Sequence, residues 1–400
     1  MPVAQAHAVS AACASRAETG GLNVSGRLGD VVAADGATLA SADDPVVAKA
    51  IATGIAHGLA LMADGTVRAW GSNSSGQLGD GSTVNRTTAV AVAGLTGVRA
   101  VAAGDSHNVA LVAGGTVRAW GSNSSGQLGD GSTVNRTTAV AVAGLTGVRA
   151  VAAGGAHSLA LTADGTVKAW GSNRFGQLGD GTTADHSTPV TVMGLAGVKA
   201  IAASVTHSLA LMADGTVRAW GNNEFGQLGD GTSTNRSTPV GVTGLTGVRA
   251  VAAGAFHSLA LATGGTVKVW GINYLGQLGD GTRINRSTPV GATGLTRVRA
   301  IDGSLHSLAL MADGTVRAWG SNSSGQLGDG TRINRSTPVT VVHLAGVKAI
   351  STTVSHNLAL MADGTVRAWG NNSSGQLGDG TINNRAVPVT VRGLIGKQDL

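Results

Sequence analysis

The sequence predicts an all-β protein whose four-stranded antiparallel units pack radially, as the blades of a β-propeller. Three observations carry this expectation. The phrase AWGSNSSGQLGDG stands at 69–81, again at 119–131, and in close variants five more times. All seven tryptophans fall at one position of the repeat: Trp70, Trp120, Trp170, Trp220, Trp270, Trp319 and Trp369. No stretch shows helical periodicity of useful length, whereas short apolar runs bounded by turn residues recur throughout.

The tryptophan spacing is 50 residues, with one interval of 49 where a residue is missing near Asp302. Residues 65–104 and 115–154 are identical, which indicates a recent duplication. Each unit reads as four strands. In the second unit, VRAVAA (98–103) is the first, HNVALV (107–112) the second and TVRAW (116–120) the third. The fourth is expected near TPVTV (188–192) in the third unit, with proline at its start, where no ladder donor is needed. Strands two and three are joined by Asp64-Gly65 or Gly114-Gly115, which suit a two-residue hairpin because both turn positions need positive φ.

A lone sheet of this size cannot cover both of its faces. In a ring, each sheet covers the next, and the repeated tryptophan becomes a wedge between blades. Burying one indole is worth at most about 4–6 kcal/mol, from ~150–250 Å² at ~25 cal/mol/Å². Gly76, Gly79 and Gly81 suit a compact loop, in which Asp80 is expected to accept backbone hydrogen bonds. Before the seven units, GLNVSGRLGD (21–30) matches GSNSSGQLGD (71–80) at seven positions but lacks the tryptophan. Residues 1–50 therefore read as a degenerate half-unit, partly disordered, and 51–395 as the seven-repeat propeller.

Composition narrows the function classes. Gly supplies 63 of 400 residues without a Gly-X-Y period, which excludes collagen, and charged residues make up only 12%, which argues against a disordered polyelectrolyte. The single cysteine, Cys13, can form neither an internal disulfide nor a cysteine-based zinc site. No apolar run approaches the ~18 residues of a membrane span. The first fifteen residues lack Lys and Arg and so lack the charged start of a secretory signal. The compartment stays open. The net charge of +6 permits an acidic partner without requiring one.

The phrases HSLALMADGTVRAWGNNEFGQLGDGT (207–232) and RSTPV (236–240) resemble the regulator-of-chromosome-condensation repeat family. The resemblance covers about 51–395, with His, Trp-Gly, Gly-Gln-Leu-Gly and Pro-Val recurring in order. It implies a seven-bladed β-propeller. It also implies a range of functions: a nucleotide-exchange factor for a small GTPase among eukaryotic members, and secreted propellers that bind and block enzymes among bacterial ones. Exchange in the family uses a projecting wedge. The tryptophan spacing here never exceeds 50, so no unit has room for such an insertion.

No catalytic constellation is visible, and no enzyme activity, metal or cofactor is expected. The repeat histidines (His57, His107, His157, His207, His257, His306 and His356) are spread around a ring and cannot converge on one ion at ~2 Å. They read as strand caps that hydrogen-bond within or between blades. Asp64 and Asp80 belong to opposite ends of a unit and cannot share a proton.

The informative residues break the repeat. After WGxN, units one, two, six and seven carry Ser-Ser, but units three to five carry Arg174-Phe175, Glu224-Phe225 and Tyr274-Leu275. The remaining phenylalanine, Phe256, lies between strands one and two of unit five. Strand direction puts all of these on one rim. Clustered aromatics with arginine have the composition of a protein-binding hot spot. A second candidate is a cationic ring for anions, formed by Arg86, Arg136, Arg236, Arg286, Arg335 and Arg385, with His186 in the third unit and Arg283 and Arg332 nearby. The competing reading pairs each arginine with a neighbouring aspartate. The sequence thus predicts a non-catalytic, monomeric protein-binding scaffold, with nucleic-acid binding unlikely because basic clusters interleaved with stacking aromatics are missing.

Overall fold

The computed structural model describes residues 47–394 together with the short strand Leu28–Gly29. Among these residues there is no helix. Seven four-stranded antiparallel sheets follow one another along the chain and close into a ring. Blade one consists of Ala48–Thr53, His57–Met62, Val67–Gly71 and Arg86–Ala91. The first strands of blades two to seven begin at Val98, Val148, Val198, Val248, Val298 and Val347. These first strands touch one another around the axis, so each is innermost and each fourth strand is outermost.

The burial pattern explains the repeat. Seven apolar cores lie between blades, not within them. Trp120 of blade two, for example, packs with Leu59, Leu61, Val67 and Leu78 of blade one. Every tryptophan is fully buried. Each indole Nε1–H donates to the backbone carbonyl of the Gly-Gln-Leu-Gly glutamine in the preceding blade, as in Trp170 to Gln127 at 2.9 Å. Gly79 shows why this phrase needs its second glycine: φ is +67°, and a Cβ there would lie 2.9 Å from Trp120 of the next blade. The phrase is therefore a socket for the neighbour's tryptophan.

Closure uses the same parts. Trp70 packs with Leu358, Leu360 and Leu377 of blade seven and donates to Gln376 at 2.9 Å. The chain end also lies along blade one's outer strand, where the Ala89 amide donates to Arg392 at 3.2 Å.

Two local expectations need correction. The outer strand of blade three runs His186–Thr191, so Pro189 sits inside it and not at its start. Pairing with the third strand shifts between Ala169 and Gly171, and the outer edge faces no further strand, so the missing N–H is tolerated. Leu28–Gly29, which matches Leu78–Gly79 in sequence, is a strand paired antiparallel with Ile201 and Ala202 on blade four's axial edge, whereas Leu78–Gly79 lies in a loop. The rest of 1–46 lies outside the described residues. The first inner strand begins at Ala48, just ahead of the expected boundary at 51.

Candidate partner-binding rim and the histidine belt

Strand polarity gives the ring two distinct faces. One carries the loop between strands one and two and the long loop after each tryptophan. The other carries the tight hairpins at Asp64-Gly65 and its equivalents.

On the loop face, each long loop is held by one asparagine. Asn73 Oδ1 accepts from the Leu78 amide, and its Nδ2 donates to Asp80 Oδ1 and to the carbonyls of Ser82 and Val84. The glutamine side chain ties down the variable position: Gln77 Oε1 accepts from Ser75 N, and Gln227 Oε1 from Phe225 N, both at 2.9 Å. Serine and phenylalanine thus occupy the same backbone frame. Side chains at these two positions can change while the loop keeps its shape.

The aromatic candidates are placed as follows. Phe225 of blade four meets Phe256 of blade five edge-on at 5.7 Å and Tyr274 at 6.3 Å, interplanar angles 75° and 83°. Tyr274 is 58% exposed, and Phe225, Phe256 and Leu275 are half-buried. Phe175, in blade three, is not in ring contact with this trio; Arg174 lies over its face at 5.7 Å. Glu224 is exposed beside Phe225.

Sequence reasoning missed two sets of apolar side chains on this face. Ile55, Val205 and Val354 stand two residues before their histidines, at the channel mouth, and Leu305 is the equivalent of Phe256 in the adjoining blade. Val84, Val134, Ile284, Ile333 and Ile382 are about 60% exposed on the long loops of five blades. Four of these, Val84, Val134, Ile284 and Ile333, share the position before Asn-Arg, where the third, fourth and seventh units carry Ala184, Thr234 and Asn383, while Ile382 stands one residue earlier; that mixture hid the signal.

The six candidate arginines each face an aspartate of their own blade, from Arg86–Asp80 at 3.0 Å to Arg385–Asp379 at 2.8 Å, with His186–Asp180 at 3.1 Å in blade three. Burial pushes the Asp80 carboxyl up, but hydrogen bonds from Ser82, Arg86 and Asn73 outweigh it and hold the carboxyl below its ordinary range. These guanidiniums are thereby neutralised, which weakens the ring as an anion site.

Beneath the rim, the histidines form a belt. His107 Nε2 lies 2.9 Å from Ser158 Oγ of the next blade, and that hydroxyl donates to Gln127 O, which also receives Trp170 Nε1–H. Because the hydroxyl proton is committed to Gln127, His107 Nε2 must carry the proton. The relay recurs from His57 to Asn108, His257 to Ser307 and His306 to Asn357. It is missing at the closing junction. Blade one has Gly58 where other blades have Ser or Asn, and neither ring nitrogen of His356 finds a partner of good geometry. Burial lowers the pKa of His57 and His306 to about 4 and that of His107, His257 and His356 to about 3. Neighbouring histidines add to this at His107, His257 and His356. The belt is neutral and structural. Among the described residues, no group of three or more His, Cys, Asp or Glu is placed to hold a metal ion.

With the blades, sockets and belt in place, comparison with known proteins is decisive for the family. The RCC1-like domain model matches residues 3–299 and 146–399. The chain belongs to this family. No curated protein matches it. Among solved structures, this RCC1-like propeller is similar to human WBSCR16, with 25% identity over 82% of this chain and 95% of that one and a TM-score of 0.75. It is similar in fold to Prp20p of Saccharomyces cerevisiae, studied for its binding to Gsp1p and histones: 24% identity, 81% and 85% coverage, TM-score 0.72. Yeast RCC1 (Prp20) bound to Kap60 gives 22% identity, 91% of each chain and a TM-score of 0.73. No helix among the described residues is long and apolar enough to cross a membrane.

Proposed function

We propose that this RCC1-like propeller is a non-catalytic protein-binding scaffold that grips its partner with the loop face of blades three to five. One observation carries the reading. Phe225, Phe256 and Tyr274 gather across two adjacent blades, partly exposed, on loops whose backbone is fixed by Asn and Gln side chains. Rigid aromatics lose little entropy on binding, so such a patch supplies affinity without rearranging the scaffold. Arg174 over Phe175 and the neighbouring Glu224 provide a charged border. Prp20p, studied for its binding to Gsp1p and histones, and yeast RCC1 bound to Kap60 agree with this reading by analogy of fold.

The test returns the variable positions to the serine of other blades: Phe175→Ser, Phe225→Ser and Tyr274→Ser together. Affinity capture from the native source with wild-type and triple-variant protein, read by mass spectrometry, should show partners lost from the variant. Identical capture by both would reject the patch. Any captured GTPase is then assayed for release of fluorescent nucleotide, because the family includes exchange factors and the seven units here differ in length by only one residue.

A further inference from the structure

The hairpin face has a different chemistry, and the net charge of the domain resides there. The second residue of every innermost strand is cationic: Lys49, Arg99, Arg149, Lys199, Arg249, Arg299 and Lys348. So is the residue two before each tryptophan, from Arg68 in blade one to Arg367 in blade seven. Both sets lie at the hairpin end of their strands. Arg149 reaches the Val198 carbonyl at the start of the next inner strand, Lys348 the hairpin carbonyl of Ala362, and Lys168 the last outer-strand residue, Thr191. With Arg297, this face holds fifteen Lys and Arg against five hairpin aspartates. The rest of 47–394 carries ten Lys and Arg against eleven Asp and Glu. The close Asp–Arg pairs of the Asp80 type lie on the loop face, whereas on the hairpin face Lys49, Arg218, Arg317 and Arg367 feel a hairpin aspartate only as a minor, longer-range attraction.

The excess is concentrated at blades five and six. The hairpin of blade five reads Gly264-Gly265, so no aspartate offsets Lys268; blade two, with Gly114-Gly115, shares this but has Gly147 where blade five is followed by Arg297. Arg297 packs against Gly265 with φ +57°, a left-handed position held by glycine at 97, 147, 197, 247 and 346. Only the repeat position occupied by Arg297 trades a relaxed glycine for a charge on this face. Beside it, Arg249 donates to the Val298 carbonyl, while its Nε is buried without a partner. Arg297 and the part-exposed Arg249 thus stand side by side with no carboxylate of their own hairpin to offset them.

We infer that the hairpin face is a docking surface for an anionic lipid bilayer, with the strongest contact at Arg249, Lys268, Arg297 and Arg299. Two features choose a bilayer over other polyanions. The cations form a complete ring at one level, so a plane of phosphates engages all of them, whereas a rod-shaped duplex meets only a chord. Met193, just past blade three's outer strand, is the one exposed large apolar side chain in a connection on this side among the described residues, and no exposed aromatic lies here, so the face lacks the stacking platforms that hold single-stranded nucleic acid. Attachment is electrostatic and peripheral, as for polybasic segments at anionic leaflets. The inference is independent of the aromatic rim, which faces the other way and stays free for a protein.

The test is co-sedimentation with vesicles of phosphatidylcholine alone or containing phosphatidylserine. Wild-type protein should bind only the anionic vesicles, and binding should fall at least tenfold between 50 and 200 mM salt. The double variant Lys268→Gln/Arg297→Gly should bind at least tenfold more weakly. Arg283→Thr/Arg332→Thr removes two charges from the loop face, restores the Thr83-type residue of other units, and should bind like wild type. Thermal unfolding of both variants confirms that they fold. Three outcomes overturn the inference: no preference for anionic vesicles, equal loss in both double variants, or tighter binding to duplex DNA at the same salt with only that binding sensitive to Lys268→Gln/Arg297→Gly.

Discussion

The closing junction differs from another junction by one hydrogen bond, and that difference can be measured. His107 and His356 are both fully buried, both have pKa values lowered to about 3, and both have an unpaired Nδ1. His107 Nε2–H donates to Ser158, whereas His356 faces Gly58 and its Nε2 has no side-chain partner, only a poorly aligned contact with the His57 backbone. Replacing each by leucine removes the imidazole from an equivalent setting, so the volume change, the lost Nδ1 and the pH linkage largely cancel between the two variants. What remains at His107 is a net hydrogen bond of about 1 kcal/mol. What remains at His356 is relief of a poorly satisfied buried group, at most about 1–3 kcal/mol in the opposite direction. His107→Leu should therefore be up to about 2–4 kcal/mol less stable than His356→Leu, and His356→Leu should be no less stable than wild type. Equilibrium urea unfolding at pH 7, followed by fluorescence of the interblade tryptophans, reads this as a separation of midpoints. Equal midpoints, or a lower one for His356→Leu, would refute the relay as a contributor to stability.

Further expectations follow from the same contacts. The buried histidines have folded pKa values of about 3–4 against an ordinary 6.5, so the unfolded chain takes up protons first as pH falls. Their contribution is complete above about pH 6.5 and is lost towards pH 3–4, at up to about 1.4 kcal/mol per pH unit for each histidine; an unfolding midpoint unchanged between pH 7 and 4.5 would contradict this. Trp220→Ala should lower stability by about 3–5 kcal/mol, because it empties an interblade core and deletes a bond to Gln177, and a loss below about 1 kcal/mol in urea unfolding would show that the socket is not tight. Arg297→Gly and His343→Gly each relieve a residue at φ +57° and should raise stability by up to about 1 kcal/mol, whereas Gly247→Arg should lower it; the opposite order in thermal unfolding would dismiss backbone strain at this position.

The period, the strands and the burial of tryptophan were legible because each unit repeats the same apolar pattern, and a pattern repeated at 50 residues admits few packings. Pairings between units were less legible. Nothing in HSLAL says that the serine receives a proton from the previous blade's histidine, because the bond spans 51 residues and depends on blade spacing. The Asp80–Arg86 pairs were visible as a spacing of six, but their geometry rests on the Asn73 loop that folds the two together. Gly58 could be seen as a departure from Ser or Asn, yet its consequence at His356 appears only once the ring closes. On the rim, the aromatic positions stood out because they replace serine, while Ile55, Val205 and Leu305 did not, since an apolar residue near a strand end looks like core. The cations before each tryptophan were hidden by their regularity: only strand polarity shows that VRA and VKA place charge on one face.

A ring of this kind separates what holds the fold from what the fold displays. Its cohesion resides in tryptophan sockets, the histidine belt and Asp–Arg braces, all of which recur with little change around the circle. The long-loop positions contribute almost nothing to that cohesion, as the interchange of Ser75, Phe175, Phe225 and Leu275 on one backbone frame shows. The hairpin ends are equally free, since Asp64 or Gly114 serves the same turn. Sequence drift at either end is therefore only weakly opposed by stability, and a blade can acquire an aromatic on one face without disturbing a cation on the other. Two adjacent features point to selection over drift. The aromatics of blades four and five touch one another across the blade boundary, a coincidence that independent drift at exposed positions has no reason to produce. Arg297 occupies a left-handed backbone position that opposes a side chain and that glycine fills in five other units. Both occur within blades four to six, on opposite faces, so a partner held at the rim would sit directly above the strongest attachment point below.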